Sequence, residues 1–139
     1  MNKTAIVYWS GTGNTLAMAK AIAKGMHDKG AEVDLLEVSA TSAAAMKDYP
    51  KIAFGCPSMG DEVLEESDYE PFFTAVEGSL GGKKVALFGS YGWGDGQWMR
   101  DWYARTKATG ASLMDEGFIQ NEAPDEAACE AYGRQFADY

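Results

Sequence analysis

Three short loops carry most of the chemistry that can be read in this chain. The first is Ser10-Gly11-Thr12-Gly13-Asn14-Thr15, in which every residue is a glycine or has a hydrogen-bonding side chain. The second, Pro57-Ser58-Met59-Gly60-Asp61-Glu62, places a thioether beside a glycine and two carboxylates. The third, Ser90-Tyr91-Gly92-Trp93-Gly94-Asp95-Gly96, sets an indole between two glycines. The first loop suits a phosphate dianion. Its glycines let a ligand approach the backbone. Free N–H groups at a helix start, with the positive end of the helix dipole, attract an anion. Ser10, Thr12, Asn14 and Thr15 add neutral donors. No lysine or arginine lies between Trp9 and Met18, so hydrogen bonds and the dipole would hold the phosphate, not a cation. No Gly-Lys-Ser/Thr follows, which excludes a nucleoside-triphosphate P-loop, and G-x-G-x-x-G fails at Leu16. A small polar turn with no ligand is the duller reading, but a turn needs fewer such residues.

The other two loops suit a flat, largely apolar ring, which needs flat partners and a few directed polar groups. Trp93 can present a bare indole face, and Met59 offers a polarisable sulfur for the opposite side. Trp98 and Trp102 fall at helical spacing and read as core.

The elements that must position these loops alternate along the chain. Lys3–Trp9, Glu32–Val38, Lys51–Cys56 and Lys83–Gly89 read as strands, and Ala111–Ile119 as a weaker, interrupted one. Asn14 opens a helix with Leu16, Ala19, Ala23 and Met26 on one stripe, closed by Gly30. A short helix is expected over 41–49, and a helical stretch around Pro71-Phe72-Phe73 within 69–80. A longer one covers 97–109, and Pro124 opens the last, with Cys129, Tyr132 and Phe136 inward. Strands alternating with helices predict one α/β domain over 1–139, a doubly wound five-stranded parallel sheet with helices on both faces. Strand order 2-1-3-4-5 suits this length better than the six-strand dinucleotide fold. In that order a ligand binds at the carboxyl ends of strands one, three and four, where the three loops fall.

Composition narrows the function. The chain has 139 residues and a net charge of -9, so nucleic acid and anionic membrane are poor partners while a basic protein surface is a good one. No apolar run is long enough to span a membrane. The start of the chain lacks the pattern of a signal peptide, and a cytoplasmic location is the expectation. Cys56 and Cys129 share no metal-type spacing and read as reduced, buried thiols. The single histidine, His27, sits on a charged helix face and is assigned no role.

Together, SGTGNT, PSMGDE and SYGWGDG resemble the short-chain flavodoxins, and the similarity runs through nearly the whole chain. The resemblance implies a non-covalently bound FMN. Ser10, Gly11, Thr12, Gly13, Asn14 and Thr15 would hold its phosphate. Met59 and Trp93 would cover the two faces of the isoalloxazine. Glu62 would meet the pyrimidine edge through its carboxylate and N–H. Ser58, Ser90, Tyr91 and Gly92 would line the ribityl chain and O2 side, with Asp61 and Gly94 in the same loops. Gly60 would let a peptide turn over so that a carbonyl accepts from the protonated flavin N5. Pro57 departs from relatives with a polar residue there, since it adds no phosphate donor.

The resemblance implies a monomeric, low-potential one-electron carrier, not an enzyme, that shuttles between semiquinone and hydroquinone with redox partner proteins. Asp61, Glu62, Glu65, Glu66, Asp68 and Glu70 form an acidic run that reads either as a docking face for basic partners or as a solubilising surface. The competing function is a small FMN-dependent NAD(P)H reductase acting on a quinone, but no spare domain or arginine cluster offers a nicotinamide site.

Overall fold

The structure is a computed structural model that describes residues 3–60 and 62–139. Strands β1 (Thr4–Tyr8), β2 (Val33–Glu37), β3 (Lys51–Gly55) and β4 (Lys84–Tyr91) alternate with helices α1 (Asn14–Asp28), α2 (Tyr69–Val76) and α3 (Gln97–Lys107). Two short strands follow, β5 (Ser112–Leu113) and β6 (Phe118–Asn121), and then α4 (Glu126–Asp138). All pairings are parallel, in the order β2-β1-β3-β4-β5, with β6 also on β4. The expected order 2-1-3-4-5 is the observed one. The fifth position is shared by two strands in line: Met114 N–H still donates to Val85 O, but residues 115–117 leave the ladder where Asp115 accepts the Gly117 N–H and the Tyr132 hydroxyl.

Each strand alternates between two cores, the pattern of a sheet covered on both faces. Ala5, Val7, Ile52, Phe54, Val85 and Leu87 meet α2 and α3 through Tyr69, Phe73, Trp98 and Trp102. Ile6, Ala53, Ala86 and Phe88 meet α1 and α4 through Met18, Ile22, Met26, Cys129 and Phe136. Each such aromatic or aliphatic side chain contributes about 1.5–3 kcal/mol by leaving water. The tryptophans at helical spacing are core, as read.

Two boundaries differ from expectation. Over 41–49 the chain makes no α-helix, only the 3-10 turn Ala44–Asp48, since a segment this short before Pro50 cannot offset helix nucleation. The helical stretch expected within 69–80 is α2, which ends at Val76 and tightens into the 3-10 turn Glu77–Ser79. Strand β4 runs on to Tyr91, because β6 pairs with Ser90 and Tyr91.

Candidate functional site

The carboxyl ends of β1, β3 and β4 open on a cavity of about 340 Å³. Ser10, Gly11, Thr12, Asn14 and Thr15 line it from the first loop, Ser58 and Met59 from the second, and Ser90, Tyr91 and Gly92 from the third. Pro57, read as a loop member without a donor, also lines it, and the structure adds Trp9 and Glu122, which sequence reasoning missed. Glu122 carried no local signal, since it reaches the site only through the pairing of β6 with β4. Gly13, Gly60, Glu62, Trp93 and Gly94 lie in the same loops but outside this lining, and Asp61 lies outside the described residues.

The first loop is organised by one hydroxyl. Ser10 Oγ accepts the N–H of Gly13 at 3.1 Å and of Leu16 at 3.2 Å, which shapes the turn entering α1. The first helical bond runs from Ala17 to Gly13. The backbone N–H groups of Thr12, Asn14 and Thr15 find no protein acceptor among the described residues, although Thr15 is only 1% exposed. Thr12 is exposed and Asn14 half-buried, but the buried Thr15 amide needs a partner, and all three sit at the helix start where an anion is favoured. No acidic residue stands in the first turn of α1 to compete for them. The loop can therefore take a phosphoryl group with neutral donors. Thr15 Oγ1 also meets Ser90 Oγ at 2.9 Å, joining this loop to β4.

The ring-side loops are tied to each other as well as internally. Ser58 N–H donates to Ser90 O at 3.0 Å, and Trp98 Nε1 donates to Cys56 O at 3.2 Å. Met59 and Val63 exchange N–H···O bonds of 2.9 Å, closing a tight hairpin around Gly60 and Glu62, both at positive φ (51° and 58°). The Glu62 carboxylate crosses to the start of α3, where it accepts Trp98 N–H at 3.4 Å. Helix α3 begins at Gly96 and has no side-chain cap of its own, so Glu62 supplies one. Gly94 sits at positive φ (85°), which favours glycine, and a Cβ there would push the Glu62 carboxylate out of its present position. Trp93 stands 63% exposed, so nothing in the core requires an indole there. Tyr91 O accepts from Glu122 N–H at 2.7 Å and from Asn121 Nδ2 at 3.3 Å, which fixes the root of the Trp93 loop.

The acidic run does not act as one surface. Glu65 turns inward and binds three backbone amides, and Glu70 pairs with Arg105 at 2.7 Å. Arg105 holds the Glu70 carboxyl below the usual carboxylate range. Glu66 and Asp68 remain exposed, with no side-chain partner among the described residues.

A larger hollow, about 680 Å³, lies at the opposite end of the sheet, but its lysines are already engaged. Lys51 donates to Phe136 O and Ala137 O, Lys84 to Tyr139 O, and Lys29 pairs with Asp138, all at the carboxyl end of α4 where cations are favoured. The smaller cavity, with its partnerless amides at the strand carboxyl ends, is the better ligand site. Cys56 and Cys129 are buried and unpaired, as read. Burial pushes both thiols up, Cys129 to about 11, so neither is a nucleophile at neutral pH.

Comparison with known proteins agrees with this geometry. The family model described as Flavodoxin matches residues 6–133. A flavodoxin of Clostridium beijerinckii is 47% identical over 135 residues, covering 96% of this chain and 98% of its own. A flavodoxin of Megasphaera elsdenii is 47% identical over 133 residues, covering 95% and 96%. The solution structure of two-electron reduced Megasphaera elsdenii flavodoxin superposes with a TM-score of 0.91 over 98% of this chain and 99% of that one. No helix of the described residues is long and apolar enough to cross a membrane. With the sheet order, the strand-end cavity and nearly full-length similarity in agreement, the chain belongs to the flavodoxin family, FMN-holding electron carriers rather than enzymes.

Proposed function

We propose that residues 1–139 work as one FMN-binding domain. In this reading the protein is a monomeric, cytoplasmic, low-potential one-electron carrier that shuttles between semiquinone and hydroquinone with basic redox partner proteins. The observation that carries the reading is the set of partnerless amides at Thr12, Asn14 and Thr15, in a loop without cations, beside a cavity walled by Met59 and Tyr91. Those residues fit FMN. The loop from Ser10 to Thr15 would grip the phosphate. Ser58, Ser90, Tyr91 and Gly92 would line the ribityl side, and Met59 and Trp93 would cover the ring faces. Glu62 would offer its remaining oxygen to the pyrimidine edge, with Gly94 giving it room.

Bound flavin supplies the electron chemistry, and the protein tunes it. Gly60, already at positive φ, can change turn type at low cost and so present a carbonyl to flavin N5. Exposed carboxylates make the negative charge of the fully reduced ring costly. One carboxylate about 10 Å away costs about 1–2 kcal/mol at an effective dielectric of about 20, before salt screening. For a one-electron couple, about 1.4 kcal/mol corresponds to roughly 59 mV. Glu66 and Asp68 would also attract a basic partner.

The test is photochemical reduction of the purified protein, followed by absorbance. A blue neutral semiquinone is expected to accumulate. Added NAD(P)H without a partner protein should leave the flavin oxidised, and rapid bleaching would favour a reductase instead. A colourless protein that refuses added FMN would end the proposal.

A further inference from the structure

We infer that Glu65 is a positioning residue for the flavin, closing the base of the 57–64 loop and so fixing Met59 and Glu62 relative to the cavity. The inference rests on the FMN reading above. Glu65 sits within the acidic run, directly before exposed Glu66, yet it is only 7% exposed. Its carboxylate accepts the N–H of Ser67 at 2.9 Å, Asp68 at 2.8 Å and Tyr69 at 2.9 Å. These are the amides at the start of α2, where Asp68 provides no side-chain cap. Burial pushes the Glu65 carboxyl up, but the three amides prevail and hold it below its ordinary range. Its charge is therefore committed inward, not offered to a partner.

The other stem of the loop is Cys56. Its N–H donates to Phe88 O at 3.1 Å and its carbonyl accepts from Trp98 Nε1 at 3.2 Å, so this stem is fixed to the sheet and to α3. Between the stems, Glu65 N–H donates to Cys56 Sγ at 3.4 Å. Behind Glu65, Tyr69 anchors α2 by donating its hydroxyl to Val7 O at 2.7 Å. A continuous path thus runs from β1 through Tyr69 and Glu65 to Cys56. Glu65 is the one member whose side chain joins the loop to the helix. Replacing the carboxylate by an amide keeps one neutral acceptor and turns the other oxygen into an NH2 donor, so the charge-assisted bonds to Ser67, Asp68 and Tyr69 weaken and one is lost, which loosens the stem that leads into α2. The phosphate loop, on β1 and α1, uses none of these bonds.

The experiment compares apoprotein of the wild type with Glu65→Gln, Glu66→Gln and Cys56→Ala, each titrated with FMN, riboflavin and inorganic phosphate. Glu65→Gln should weaken FMN and riboflavin by the same factor, roughly ten- to hundredfold, as lost bonds to a charged acceptor imply. Inorganic phosphate affinity should stay within about twofold, because its cradle is an independent site. Glu66→Gln removes the same charge from the neighbouring residue and should weaken riboflavin far less. Cys56→Ala removes the acceptor between the stems and should lower riboflavin affinity in the same direction. It carries the test if Glu65→Gln does not fold. Unchanged riboflavin affinity in Glu65→Gln, or phosphate affinity falling in step with riboflavin, would overturn the inference. If the wild type itself binds neither flavin, the functional reading fails and this one fails with it.

Discussion

The phosphate side and the ring side of the cavity are built by opposite means. On the phosphate side, the bonds that shape the turn run between residues three and six apart, from Gly13 and Leu16 to Ser10, and one long-range side-chain bond, Thr15 to Ser90, ties the turn to β4. On the ring side a local hairpin, Met59 to Val63, is placed by bonds that run across the fold: Trp98 to Glu62 spans 36 residues and Trp98 to Cys56 spans 42. The start of α1 is organised from within its own loop, whereas α2 and α3 are both capped by carboxylates of the 57–65 segment. The difference has a physical consequence. A locally bonded loop forms with its helix, while a loop bonded across the fold is only as well placed as the sheet and helices it joins. The phosphate cradle should therefore tolerate distant damage that the ring site does not.

The strongest way to break the contrast is at Gly89, in β4 beneath the ring-side loops. A Cβ there would lie 2.1 Å from Cys56 O and 3.2 Å from the Trp98 ring. Both neighbours are buried and bonded to each other, so neither can yield cheaply. Gly89→Ala should cost about 3 kcal/mol of apoprotein stability, at the upper end for overpacking a core. It should also weaken riboflavin binding more than inorganic phosphate binding. Urea unfolding and the two titrations check this. A loss under about 1 kcal/mol, within the range of an ordinary core adjustment, would show that the Cys56 stem is not rigid.

A smaller effect, with the reverse signature, is expected at Ser10. Ser10→Ala removes the acceptor for two amides and should cost about 1 kcal/mol, as cap losses do. Because those amides shape the phosphate loop alone, affinity for FMN and for inorganic phosphate should fall while riboflavin affinity stays near wild type. Parallel losses of phosphate and riboflavin would mean that the two sides are not separable.

The same contrast explains what could be read in the sequence. Strand order followed from alternating patterns and chain length. The phosphate loop was legible because its donors, its glycines and the hydroxyl that organises it are contiguous. The ring loops were legible as places, through Met59, Gly60 and Trp93, but not as a bonded structure. Nothing local distinguishes Glu65 from Glu66, yet one is buried on three amides and the other is exposed. Glu62 likewise reveals its role at α3 only once β4 and α3 are in place, and Glu122 enters the cavity only because β6 extends β4. The 3-10 turn at 44–48 was misread as a helix because alanine content outweighed a length too short to nucleate one.

The smallest effect on the fold should come from the residue most conspicuous in the sequence. Trp93 is 63% exposed, between two glycines that pack nothing around it, so Trp93→Ala should change apoprotein stability by no more than about 0.5 kcal/mol. An indole stacked on a ring contributes about 0.5–1.5 kcal/mol beyond its buried area, so FMN and riboflavin affinity should each fall roughly two- to tenfold. Inorganic phosphate affinity should not move. Trp93→Phe keeps an aromatic face and should recover most of the loss. If Trp93→Ala instead destabilised the apoprotein by as much as Ser10→Ala does, the indole would be packing against its own loop. The ring site would then resemble the phosphate side in being locally held, and the division between the two would have to be redrawn.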